Sequence, residues 1–456
     1  MLSVRSRIMV LIIFLLGGHF SVGLAQNANI IPKQNSPYSR FGLGDALPQY
    51  YGAQAGMAGM MATYNSHSRS NFINPASLGW LQFTALEVGL NVKSSTLDDG
   101  EATENVWSGN LRNISLAFPL RNSINQVVDR RLAKFNWGMA LVLQPYTEVG
   151  YNLELATEVT PGDGQEVDRY LNSLKGAGGT YQLAFSNGFR YENVAFGVKL
   201  GYLFGNIINS RRVFLDEINS TASFATEFLD ETSVSGLLWS AGVQYRLPIE
   251  INAKTDEVTK SVHFGVYGNS KSSIDTKTDQ FYSRDNLGLS LASDTLAFSE
   301  NIENTGQLPA QVGFGVMYEE VRRLRIGVDV ALTNWSNFEM EANPASFENT
   351  FRAALGGEYI PENESYNNYF AKVRYRAGVF YGTDPRTVNG EQLSEFGLTI
   401  GFGLPLIRPR QQTSYIDMAF ELGQFGLEET LKETYFQTTI GFTLNDNTWF
   451  FKRKFN

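Results

Sequence analysis

The sequence predicts an all-β protein, a transmembrane antiparallel β-barrel of about fourteen strands with an N-terminal hatch or plug inside its lumen. Three observations carry this reading. From Ala85 to the end, stretch after stretch alternates apolar residues with small polar ones. The glycine-crowded stretch Ser39 to Leu78 does not alternate, and no apolar run after the leader is long enough for a membrane helix. A chain of 456 residues has the length of two soluble domains, yet no Pro/Ser-rich tract, charge block or change of texture marks a linker.

In chain order the first element is a leader. Arg5 and Arg7 precede the apolar run Ile8 to Leu16, and Gly23-Leu24-Ala25 supplies small residues for cleavage, so residues 1–25 read as a secretory signal peptide. The run is too short to cross about 30 Å of hydrocarbon. No cysteine follows it, which excludes a lipoprotein anchor, disulfides and zinc-thiolate chemistry.

Residues 26–80 form the expected plug. Gly42, Gly44, Gly52, Gly56 and Gly59 permit positive φ and close backbone approach, while Pro75 holds Asn74 in an extended conformation. The barrel is expected over residues 81–445. Along its last strand Phe436, Ile440, Phe442 and Leu444 share one parity, and Tyr435, Gln437, Thr439, Gly441 and Thr443 hold the other. The same split recurs at Ile416 to Leu422, Phe396 to Leu404 and Val373 to Tyr381. A secreted β-sandwich would alternate too, but its polar face carries long charged side chains. Here that face is largely glycine, alanine, serine and threonine, which suits a lipid-clad wall around a filled lumen.

Candidate strands centre on Leu86 to Val92, Ile114 to Phe118, Phe135 to Leu143, Tyr181 to Phe189, Phe196 to Phe204, Leu237 to Leu247 and Val262 to Val266. They continue with Val312 to Tyr318, Leu324 to Leu332, Phe351 to Tyr359 and the four already named. Connections at 191–194 and 319–323 are tight, whereas 158–175, 210–232 and 269–305 read as long polar loops. Barrels keep short turns on the periplasmic side, so this ordering puts both chain ends in the periplasm. Asn122 to Lys134 breaks the ordering and reads as a short capping helix. The tail, residues 446–456, ends in an aromatic cluster and three bases, suited to a headgroup-facing end.

Gly42-Leu43-Gly44, Gly56-Met57-Ala58-Gly59-Met60 and Asn74-Pro75-Ala76-Ser77-Leu78 running into a strand resemble the hatch of the FadL-type outer-membrane transporters. The opening Ser36 to Asp45 resembles the Bacteroidota branch of that superfamily, which includes PorV-like barrels. The resemblance implies a fourteen-stranded barrel closed by the hatch, with a hydrophobic ligand entering from outside and leaving sideways into the membrane. It implies gate positions at Gly42, Gly44, Asn74, Pro75 and Ala76, and an apolar ligand pocket against Phe41, Met57, Met60 and Phe72. A kink in the third strand forms the lateral exit of such transporters, and Pro145 is similar in placement. Because proline donates nothing to a ladder, Pro145 implies either a bulge or merely the strand's end.

Ionisable residues on the later strands, Arg352, Glu358, Lys372, Arg374, Arg376, Glu395, Asp417 and Glu421, are expected to face the lumen. They suit either a ligand carboxylate or mutual pairing, and the second is favoured because buried charge is usually paired. Enzyme chemistry is not expected, since His67 and His263 alone follow the leader and assemble neither a triad nor a metal cluster. No cofactor or metal is expected. A formal charge of -9 argues against nucleic acid as partner. The expected function is passive uptake of small, fatty-acid-like hydrophobic molecules across the outer membrane of a Gram-negative cell, with membrane lipid as surroundings. The alternative is a non-transporting PorV-like subunit or scaffold of a secretion or envelope assembly complex.

Overall fold

The computed structural model describes residues 36–120, 134–159, 168–215, 224–253, 257–286, 294–407, 413–427 and 430–446. The leader, most of the expected capping helix and the tail beyond Asp446 lie outside these residues.

The strands are β1 (Asp45–Ala46), β2 (Thr84–Asp98), β3 (Thr103–Pro119), β4 (Phe135–Val159), β5 (Asp168–Tyr191), β6 (Val194–Leu215), β7 (Phe224–Ile251), β8 (Val258–Asn269) and β9 (Ser272–Asn286). They continue with β10 (Asp294–Leu308), β11 (Gln311–Glu320), β12 (Leu324–Thr333), β13 (Glu339–Met340), β14 (Thr350–Tyr359), β15 (Arg374–Val388), β16 (Glu391–Ile407), β17 (Thr413–Gly426) and β18 (Lys432–Asp446). The wall runs β2 to β8, then β11, β12 and β14 to β18, fourteen antiparallel strands, and closes where β18 pairs with β2 from Asp446↔Thr84 to Lys432↔Asp98. Every candidate strand centre falls inside one of these fourteen.

Period-two chemistry sets the faces. On β18, Phe436, Phe442 and Leu444 are exposed, while Tyr435, Gln437, Thr439 and Thr443 are buried. On β16, Leu398 and Ile400 are 58% and 56% exposed, yet the intervening Thr399 is 2% exposed. A continuous outer coat of leucine, isoleucine, valine and aromatic rings would be untenable in water and is what a bilayer requires.

Strand length differs from expectation. β7 has 28 residues and β4 has 25, against ten for β11, β12 and β14. Since roughly 9–11 tilted residues cross the hydrocarbon, β4 to β7 stand far beyond it at one end. The described parts of the segments 158–175 and 210–232, expected to be loops, are ladder. The segment 269–305 is mostly the β9–β10 hairpin, whose β9 pairs with the first half of β7. These projecting stretches carry polar residues on both parities, because their outer face meets water instead of lipid, which weakened the contrast that marks a strand. The result is a one-sided wing whose inner face, with Val149, Tyr151, Leu203, Ile207, Val234, Ile274 and Leu308, packs into a second apolar core.

Residues 36–83 lie within the ring. Gly197 on β6 abuts Pro75, Gly356 on β14 abuts Met57, and a Cβ built on Gly56 would meet the Cα of Gly401 on β16 at 2.9 Å. These glycine contacts let the inner segment press on the wall at opposite sides. β2 starts and β18 ends at the same mouth, but Ser36 donates to the Gly150 carbonyl at 2.7 Å, in the far half of β4. The inner segment therefore enters its described path toward the winged end and descends to β2.

Candidate functional site: hatch, seam and far cavity

The hatch is held chiefly through its own backbone. Asn74, fully buried, accepts from Ala76 N–H at 3.2 Å and donates to the Ala62 carbonyl at 2.6 Å, so its one amide caps the turn Pro75–Trp80 and ties it to the preceding loop. Asn71 does the same for the carbonyls of Met61 and Tyr64. Wall side chains complete the accounting. Asp329 accepts from Met61 and Ala62 N–H, Thr399 from Ala58 N–H, and Glu87 from Ser70 N–H at 2.8 Å. Asn136 donates to the Gly79 and Leu81 carbonyls, each at 2.8 Å. Irregular backbone inside a membrane is stable only when satisfied in this way.

A charge network locks the middle. Arg69 of the hatch grips Asp417 bidentately, Nε–Oδ2 2.8 Å and Nη2–Oδ1 3.0 Å. Arg376 reaches the same Oδ1 at 2.6 Å and Glu358 Oε2 at 2.8 Å, and Arg374 holds Glu358 Oε1 at 3.1 Å. A second node joins His263 Nε2 to Glu319 Oε2 at 2.8 Å, with Arg325 on the other carboxylate oxygen and on the Asn65 carbonyl at 3.1 Å. Of the anticipated lumen charges, Glu358, Arg374, Arg376 and Asp417 thus form one cluster. Arg352 instead donates to hatch groups, Ala58 O at 2.9 Å and Tyr50 Oη at 3.2 Å. Glu395 and Glu421 lie 2.6 and 2.9 Å from the Tyr435 hydroxyl. Lys372 ends the turn Phe370–Lys372 ahead of β15, at the mouth and not on the strand.

Sequence reasoning missed Arg69, Glu319, Arg325 and Asp329. The two on β12 had a readable signal in their lumen parity, whereas Arg69 sits in irregular chain that carries no period.

The third feature is a seam. β3 pairs with β4 from Pro119↔Gly138 only as far as Ile114↔Leu143. Above that, β3 pairs with β2 alone among the described residues, and Asn110 Nδ2 reaches across to Glu148 Oε2 at 2.7 Å. The freed edge of β4 is taken by the hatch. β1 pairs Asp45↔Glu148 and Ala46↔Thr147, Leu47 donates to the Tyr146 carbonyl at 3.0 Å, and Gln49 Nε2 to the Pro145 carbonyl at 3.1 Å. Pro145 lies inside β4, with a register shift between Pro145 and Thr147, so it marks a bulge within the strand and not its end. Gly44 has φ +95°, and a Cβ there would strike the Glu148 carbonyl, so Gly44 lets this strap lie against β4. From the far mouth Arg386 clamps the strap, binding Asp45 and Asp384 together.

A cavity of about 320 Å³ opens toward the winged end and is lined by Leu47, Gln49, Tyr50, Met61, Ile73, Tyr146, Leu238, Trp239 and Tyr267. Phe41, Met57, Met60 and Phe72 are not among its lining. Met57 and Met60 pack with Tyr64 and Met317, and Phe72 stacks on Tyr51 at 6.0 Å, so they serve the hatch–wall core. Lys199, 8% exposed, borders the cavity and makes no ion pair among the described residues.

A family model described as BamG matches residues 6–456. No curated protein matches the sequence. Among solved structures, a Pseudomonas aeruginosa FadL homologue is similar at 14% identity and TM-score 0.54, over 88% of this chain and 99% of that one. The Pseudomonas putida toluene transporter TodX gives 15% and 0.53, and the Ralstonia pickettii toluene transporter TbuX 13% and 0.52, each over 88% and 99%. At these identities the likeness establishes a shared barrel fold.

Proposed function

The chain belongs to the BamG family, and from that premise we propose that it is an outer-membrane barrel of a Gram-negative cell, of the Bacteroidota, that passes small fatty-acid-like molecules from the winged end into the membrane. One observation carries this: the far cavity and the seam share a wall. Leu47, Gln49 and Tyr146 line the cavity, and the same residues bond strap to β4. A molecule resting in the cavity therefore lies against the strap that fills the seam. The straight path is blocked by Arg69, Asp417, Arg376 and Glu358, whose separation would leave charge bare in a low dielectric. Tyr146, Leu238 and Trp239 suit an apolar chain, and the unpaired Lys199 ammonium suits a carboxylate head. Two of the solved structures of similar fold are toluene transporters, which supports an apolar cargo.

The test uses the absence of native cysteine. Ala46 and Thr147 face each other in the ladder, at a spacing a disulfide accepts. Full-length protein carrying Ala46→Cys and Thr147→Cys, reconstituted in liposomes, is expected to lose uptake of a fluorescent long-chain carboxylate when oxidised and regain it on reduction. Equal uptake in both states would sink the lateral route.

A second reading, a barrel subunit of an envelope protein complex, is favoured by the wing. Its β9–β10 hairpin carries Leu296 and Phe298, the latter 59% exposed, alongside the outer half of β7.

A further inference from the structure

At the mouth where β2 begins and β18 ends, a second cavity of about 490 Å³ lies beneath the charge network. Its walls are polar, and four cations border it: Arg322 on the β11–β12 turn, Arg325 on β12, Lys372 before β15 and Arg374 on β15. Three already hold carboxylates, Arg325 on Glu319, Arg374 on Glu358 and Arg322 on Glu364 at 2.7 Å. These pairs differ. Glu319 and Glu358 are buried behind the lining, whereas the Arg322–Glu364 pair is 64% and 76% exposed and free to exchange. Lys372 has no carboxylate partner among the described residues. The cavity thus presents one unpaired ammonium and one guanidinium whose internal carboxylate is easily displaced. Both lie at the end that a bacterial barrel turns to the periplasm.

We propose that this cavity binds an acidic peptide segment from the periplasmic side, with Lys372 taking one carboxylate and Arg322 exchanging Glu364 for another. Carboxylates are the anions that every other cation of the site already selects. The polar lining of Ser66, Ser68 and Thr413 offers hydroxyls to a peptide backbone and little apolar surface to an acyl chain. The network above seals the cavity from the far one, so a ligand here arrives from the periplasm, and this site stands or falls apart from the lateral route.

The experiment measures fluorescence anisotropy of the full-length protein in detergent with a short labelled peptide of alternating glutamate and serine. Its glutamine counterpart, laurate and inorganic phosphate serve as competitors. The glutamate peptide is expected to bind about tenfold tighter than the glutamine one, and Lys372→Gln with Arg322→Gln to weaken it by about tenfold, as loss of charge-assisted bonds dictates. Glu364→Gln, which removes only the internal competitor, is expected to tighten binding, a change that loss of structure would not produce. Heat-modifiable migration on gels checks that each variant keeps its barrel. Equal binding of the glutamine peptide, or no effect of the double variant, overturns the proposal. Displacement by laurate or phosphate as effective as by the glutamate peptide overturns the peptide assignment.

Discussion

Asp417 faces two guanidinium groups, Arg69 from the hatch and Arg376 from β15, with all three side chains 3% exposed or less. Removing its charge leaves two buried cations with Glu358 as the remaining carboxylate, and an unpaired buried ion costs about 3–5 kcal/mol. Asp417→Asn is therefore expected to lower the unfolding temperature in detergent and to raise leakage of small polar solutes from liposomes; unchanged leakage would mean that Arg69 does not anchor the hatch. The residue scale is also where the sequence was least legible. Glu358, Arg374 and Arg376 were readable because adjacent antiparallel strands place equal parity together. Arg69, their partner in the network, was not, because chain without a period gives no register. Lys372 was misplaced by extending the strand's parity one turn too far.

The strap shows how a single element depends on backbone chemistry. A two-residue strand is too short to persist alone, and β1 survives because Gly44, Asp45 and Gln49 all act on the same β4 edge. Gly44→Ala adds a Cβ at positive φ against the Glu148 carbonyl, a strain of about 1–3 kcal/mol. It is expected to release the strap without unfolding the wall, read as faster tryptic cleavage after the exposed Arg40; an unaltered cleavage rate would show that the strap does not rest on this contact. The fourteen wall strands were legible because lipid outside and small residues inside give maximal contrast at period two. The wing was not, since Thr276 to Gln280 is polar on both parities and Thr226 to Thr232 sets charge on both, so neither stretch shows an apolar face. The glycine crowd marked the non-alternating inner segment, yet nothing in it foretold that this segment would join a wall strand.

At the scale of the molecule the two readings of function separate on the wing. Replacing residues 279–301, the outer part of the β9–β10 hairpin, by a tight turn keeps Ile274 and Leu308 in the far core. The shortened protein is expected to retain its barrel and its uptake of the long-chain carboxylate. Loss of stoichiometric co-purifying proteins with uptake intact would assign the wing to an assembly, and loss of uptake would place it in the conduit. The hatch has a consequence of another kind. Its last residues lead directly into β2, the strand that zips to β18, while its first described residues lie near the opposite rim. Drawn upward through a finished ring, it would have to push Arg69 past Asp417 and strip both of water. A ring still split between its first and last staves offers a side door instead. Seating the stopper before the cylinder is stitched shut avoids that cost.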